Sequence, residues 1–159
     1  MTDQPVAVGA VLEQDHRVID QHFAAFAAKL AGGRVDTEQL EAGSTGLRRH
    51  IWVEEEIHFP PLRAAGMMGP IMVMLREHGE IWDLLDALDE GLAGGADAAT
   101  LTPTWESLAQ TLEAHNLKEE RILYPSGDQV IDEETAHQIL EALDGELPEG
   151  WTCEMSGRS

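Results

Sequence analysis

The feature that most constrains this chain is a four-residue spacing that occurs twice. His50-Ile-Trp-Val-Glu54 and His115-Asn-Leu-Lys-Glu119 each place an imidazole and a carboxylate at i and i+4. On a helix those positions lie one above the other on a single face, within reach of one bound ion. The likeness continues beyond the glutamate: Glu55-Glu56-Ile57-His58-Phe59-Pro60 runs parallel to Glu120-Arg121-Ile122-Leu123-Tyr124-Pro125. Two copies in the same context, each followed by an aromatic residue and a proline, indicate an internal duplication.

The periodicity around these motifs is helical throughout. Leu12, His16, Ile19, Phe23, Phe26 and Leu30 form an inward stripe from Val8 to about Ala31. A second helix is expected from Asp36, its N-cap paired with Gln39, and its stripe runs Leu40, Gly43, Leu47, His50, Glu54, Ile57. Gly43 and Gly46 weaken its first half by about 1 kcal/mol each, and Pro60-Pro61 is expected to end it. A third helix starts with Pro70 in its first position and carries Ile71, Met74, His78, Ile81, Leu85, Leu88 and Leu92. Thr102-Pro103 reads as the start of a fourth, with Trp105, Leu108, Leu112, His115, Glu119 and Ile122 inward. Pro125 to Asp128 reads as a turn, Asp132 to about Leu143 as a short fifth helix stopped by Gly145, and the tail from Glu146 has no period. Residues 1–7 read as a loose leader.

No stretch alternates as a half-buried strand would. The expected fold is all-α: an up-down-up-down four-helix bundle over residues 8–125, built from two similar hairpins, with an extension over 126–159 that holds a short C-terminal helix. A shift of 62 residues lays the first stripe on the third, and a shift of 65 lays the second on the fourth.

The six polar members of these stripes are expected to meet. His16 and His50 lie at similar distances from their hairpin turn, as do His78 and His115 from theirs, about 20 Å along each helix. Packing the hairpins together puts four imidazoles and two carboxylates in one layer of the core. Buried carboxylates without a cation cost several kcal/mol each, and no lysine or arginine shares their stripes. A metal pair resolves the conflict. The absence of thiolates from the stripes excludes iron–sulfur and cysteine-type zinc sites, whereas imidazole with carboxylate suits iron, manganese or zinc. Two shared carboxylates fit a dinuclear centre bridged by Glu54 and Glu119, with two histidines and open positions on each metal.

Composition narrows the partners. Thirty acidic against ten basic side chains give a net charge of −20, which excludes a nucleic-acid partner on electrostatic grounds. No apolar run reaches the ~18 residues of a membrane span, and Met-Thr-Asp-Gln-Pro does not begin like a secretion signal. One cysteine, Cys153, allows no internal disulfide and fits a reducing, cytoplasmic compartment.

The pattern Asp15-His16, His50-x-x-x-Glu54-Glu55, Phe59-Pro60, Glu77-His78, His115-x-x-x-Glu119-Glu120, Tyr124-Pro125 resembles the hemerythrin-like (HHE cation-binding) family. The resemblance implies a four-helix bundle with a non-haem di-iron centre that binds dioxygen or nitric oxide. It carries over His16, His50, Glu54, His78, His115 and Glu119 as iron ligands, with both glutamates as bridges. Two departures stand out. Trp82 replaces the second third-helix histidine of the oxygen carriers, and His-x-x-x-Glu replaces their final His-x-x-x-x-Asp. These favour the wider bacterial branch, with roles in sensing, nitric-oxide response, peroxide chemistry and iron handling.

The implied function is ligand binding in sensing, storage or stress response. The alternatives are a di-iron enzyme, reducing peroxide or repairing iron–sulfur centres, and a metal-stabilised interaction module whose acidic surface meets a basic partner. An enzyme would need a proton donor beside the open position, and no inward acid beyond the six ligands is evident. His58, one turn past Glu54, is a candidate further ligand, although its place at a helix end reads first as a cation against the terminus. His22 is expected at the bundle's flank, Trp82 in packing, and Glu55 and Glu120, at i+5 from the histidines, in a second layer around the ligands or at the rim.

Overall fold

A computed structural model describes residues 7–157. The leader expected over residues 1–7 therefore lies, but for Ala7, outside the described residues. Helices α1 (Val8–Ala31) and α2 (Thr37–Val53) form one antiparallel hairpin, α4 (Met68–Ala93) and α5 (Ala98–Lys118) the other. Together they make the four-helix bundle, and no strand occurs among the described residues. Short helices α3 (Phe59–Ala64) and α6 (Tyr124–Val130) extend α2 and α5, and α7 (Glu133–Asp144) packs against α1 and α2.

The predicted stripes are the core. Leu12, Ile19, Phe23, Phe26 and Leu30 of α1 are buried, as are Ile71, Met74, Ile81, Leu85 and Leu88 of α4. Asp36 and Asp132 cap α2 and α7, their carboxylates accepting from the backbone N–H of Gln39 and Thr135. The Gln39 side chain does not complete the expected capping pair; its Oε1 meets half-buried His22 Nδ1 at 2.8 Å instead. Gly43 lies under the Phe23 ring, where a Cβ would come within 2.6 Å of a ring carbon. Its helix-weakening cost is therefore the condition for α1 and α2 to approach so closely.

The structure corrects four expectations about helix ends. Pro60-Pro61 does not stop the second helix, and Pro125 to Asp128 is not a turn. In both places the chain passes through a π-helical turn, Glu54–His58 and Glu119–Leu123, and stays helical to Ala64 and Val130. Phe59 N–H bonds to Glu54 O and Tyr124 N–H to Glu119 O, an i to i−5 closure. The wider turn opens the backbone where a proline ring would otherwise strike the preceding carbonyl, so the prolines follow as first-turn residues of α3 and α6. The fourth helix starts at Ala98, capped by Asp97, with Pro103 inside it rather than at its start. The third starts at Met68, so Pro70 is its third residue, still within the turn whose N–H groups have no helical partner.

The extra residue in each π turn also advances the inward face by one position. Ile57 is only half-buried and Ile122 is exposed, whereas His58 and Leu123 are inside. The aperiodic tail is likewise packed, not loose: Trp151 lies edge-on against Trp82 with ring centroids 5.4 Å apart, and Cys153 is buried.

Two apolar clusters result. One, around Phe23, Phe26, Leu85 and Leu108, fills the hairpin-turn end; the other, around Leu12, Phe59, Leu62 and Met74, fills the opposite end. The histidine layer lies between them.

A candidate dinuclear metal centre

Each of the four long helices brings polar groups to this layer, and the six predicted residues His16, His50, Glu54, His78, His115 and Glu119 are all buried there. They fall into two groups able to hold a metal ion: His16, His50, Glu54 and Glu119, and His78, His115, Glu54 and Glu119. Within each group the candidate ligand atoms lie within 4.8 Å of one another.

The glutamates divide their oxygens between the groups. Glu54 Oε2 faces His50 Nε2 at 3.4 Å while Oε1 faces His78 Nε2 at 3.2 Å. Glu119 Oε1 faces His16 Nε2 at 3.1 Å while Oε2 faces His115 Nε2 at 3.2 Å. Glu54 Oε1, His78 Nε2 and Glu119 Oε2 are buried yet make no hydrogen bond. They are close together but misaligned for bonding to one another, as atoms are whose lone pairs converge on a shared cation. Nitrogen and oxygen donors of this kind, without thiolate, fit iron, manganese or zinc.

A ring of four further carboxylates fixes the imidazoles. Asp15 of α1 accepts from His50 Nδ1 of α2 at 2.7 Å, and Glu55, in the π turn after α2, from His78 Nδ1 of α4 at 2.7 Å. Glu77 of α4 accepts from His115 Nδ1 of α5 at 2.9 Å, and Glu120, in the π turn after α5, from His16 Nδ1 of α1 at 2.9 Å. Each long helix, with the π turn that follows it where there is one, thus orients the next helix's imidazole, and the ring closes on itself. An imidazole held through Nδ1 presents Nε2 to the centre. The signal for this ring was in the sequence as an acidic residue directly beside each of four ligand positions.

The electrostatics favour positive charge in the layer. Burial pushes the His50 imidazole down, but Glu54 and Asp15 outweigh it and carry its pKa up to about 10. For His78 burial is likewise overcome, by Glu119, Glu54 and Glu55, and the imidazole rises well above its ordinary range; His115 rises beside Glu119 and Glu77. Burial works to raise the Glu119 carboxyl, yet His115, His16 and His78 hold it well below the usual carboxylate range. Lys118 adds an ion pair to Glu77 at the rim.

Sequence reasoning passed over Tyr124. Its phenol oxygen lies inside the first group, donating to Glu54 Oε2 at 2.8 Å and standing 3.0 Å from His16 Nε2, 3.1 Å from His50 Nε2 and 3.3 Å from Glu119 Oε1. Burial and the two glutamates keep the phenol protonated well above its usual range. The matching residue in the other half is Phe59, stacked on His78 at 5.6 Å. That one hydroxyl makes the halves chemically unequal, and the Tyr/Phe difference between the repeats was its only trace in the sequence.

His58 belongs to neither group, and it is not a cation at a helix terminus. It is fully buried in the π turn, and burial drives its imidazole below the ordinary value despite Glu54 and Glu119. Its ring meets Tyr124 edge-on at 5.6 Å, and a Cβ on Gly127 would come within 2.7 Å of its Nε2.

The chain matches the family profile described as hemerythrin HHE cation binding domain over residues 8–126. No curated protein and no solved structure matches it significantly. With three-quarters of its length matched, two helical hairpins and a buried His/Glu layer, the chain belongs to the hemerythrin HHE cation-binding family.

Proposed function

We propose that His16, His50, Glu54, His78, His115 and Glu119 hold two iron ions as a carboxylate-bridged, non-haem pair, and that the protein binds dioxygen or nitric oxide there in sensing, storage or stress response. The observation that carries this reading is the division of Glu54 and Glu119, each giving one oxygen to either histidine pair. Iron held by these residues in its reduced state would supply electrons to a small diatomic ligand. The protein's part is to set geometry and environment. The carboxylate ring orients each Nε2 inward, and the apolar clusters exclude bulk water from both ends of the layer.

Tyr124 supports a second reading, an enzyme that turns over peroxide. Its buried hydroxyl is a proton-bearing group beside the first half-site, the element such an enzyme requires.

Absorption spectra of the reduced, iron-loaded protein titrated separately with dioxygen, nitric oxide and peroxide test these readings. Stoichiometric, reversible spectral change with either gas is expected. Sustained peroxide consumption favours the enzyme, and a colourless zinc protein inert to all three contradicts both.

A further inference from the structure

The centre is buried on every side, so a ligand must reach it between helices. Three of the four seams are covered at the level of the layer, although a groove of about 370 Å³ along α1/α2 also reaches Asp15. Along α4/α5, Lys118 covers Glu77. Along α1/α2, Ile19 packs on the Gly46 backbone, where a Cβ would lie 3.2 Å from its Cγ1. Along α2/α4, Arg48 lies over Trp82 at 4.6 Å, and below it the C-terminal segment lies in the seam. Trp151 Nε1 donates to Glu56 at 3.1 Å, Glu154 N to Glu55 Oε1 at 3.0 Å, and Gly157 N to Asp83 at 2.8 Å.

The internal duplication identifies the twin of that filled seam. Shifts of 62 and 65 residues carry Trp82 and Glu55 onto Asp20 and Glu120. Those two residues line a groove of about 430 Å³ between α1 and α5, with Phe23 and Trp105 along it and Leu117 at its edge, and none of the described residues lies in it. The outer carboxylates register the difference. The Glu55 side chain is 5 % exposed, Asp15 and Glu77 are 15 % exposed, and Glu120 is 32 % exposed. Glu120 is directly bonded to His16. Asn116 also lines the groove and presents a buried Oδ1 that has no hydrogen-bond partner, an acceptor suited to a small polar visitor.

We infer that small neutral molecules reach the centre through the α1/α5 groove, arriving at the His16 half-site, while the C-terminal segment plugs the equivalent route to the His78 half-site. The carboxylates of Asp20, Glu113 and Glu120 along the groove select against anions. The inference rests on the proposed function, in which such molecules bind at the metal pair.

Stopped-flow binding of nitric oxide to the reduced, iron-loaded protein tests it. Ala24→Trp and Leu117→Trp fill the groove and touch none of the six candidate ligands; Ala42→Trp, in the α1/α2 groove, is the control. A blocked route raises the barrier in both directions, so the two groove variants should slow association and dissociation alike, by about ten-fold or more, with Kd unchanged. The control should match the parent. Parent-like rates in both groove variants, or equal slowing in Ala42→Trp, overturn the route. Iron per chain, measured first on the parent and on each variant, separates the two ideas. A parent that takes up no iron contradicts the proposed function, whereas a loaded protein whose rates ignore the groove contradicts only the route.

Discussion

Glu54 and Glu55 are neighbours with different tasks, and the contrast repeats at Glu119 and Glu120. The first of each pair points into the layer and serves both histidine pairs; the second, about 100° further round, holds an imidazole on an adjacent helix. Glu54→Ala or Glu119→Ala should therefore reduce metal content from two per chain to one or none. Glu55→Ala or Glu120→Ala should retain two at saturation but with affinity lowered about 10–100-fold, because only the orientation of His78 or His16 is lost. Competition with a calibrated chelator checks both. Tyr124→Phe removes the hydrogen bond to Glu54 and should destabilise the metal-free protein by about 1–3 kcal/mol in urea unfolding. Phe59, at the matched place, shows that the aromatic ring alone fits.

At the scale of elements, the long helices and their inward faces were legible because their stripes are long and regular. So were the six residues of the layer, since burying carboxylates on an apolar stripe demands a cation. The π turns were not legible. Proline reads as a helix stop, and nothing local distinguishes a stop from a widened turn that accommodates the ring. The same blind spot placed Ile57 inside and His58 at a terminus, one residue out of register. The C-terminal segment escaped because its contacts are single residues reaching distant helices, with no period to read. Its docking depends on Gly79, where a Cβ would come within 2.5 Å of Met155 O. Gly79→Ala should release the segment and expose Cys153, whose thiol is raised to about 12 by burial and by nearby Glu55. A thiol raised in the folded state stabilises docking below its ordinary value of 9.0, and that contribution is lost as pH climbs from there towards 12. Alkylation of Cys153 should thus be slow in the parent at pH 8 and fast in Gly79→Ala. Equal rates would show that the segment is not held by this contact.

The whole molecule is a duplicated hairpin closed around one polar layer, so its stability should be tied to what the layer holds. Metal at about 100 times its Kd stabilises the folded state by about 2.7 kcal/mol, and chelation should lower Tm accordingly. A melting curve unchanged by complete metal removal would place the binding groups outside the core. The central claim, that two matched half-sites share Glu54 and Glu119, is tested most directly by counting metal ions on the intact chain. Native mass spectrometry during anaerobic ferrous titration should show a chain that saturates at two irons. Saturation at one, or none, would contradict the dinuclear centre.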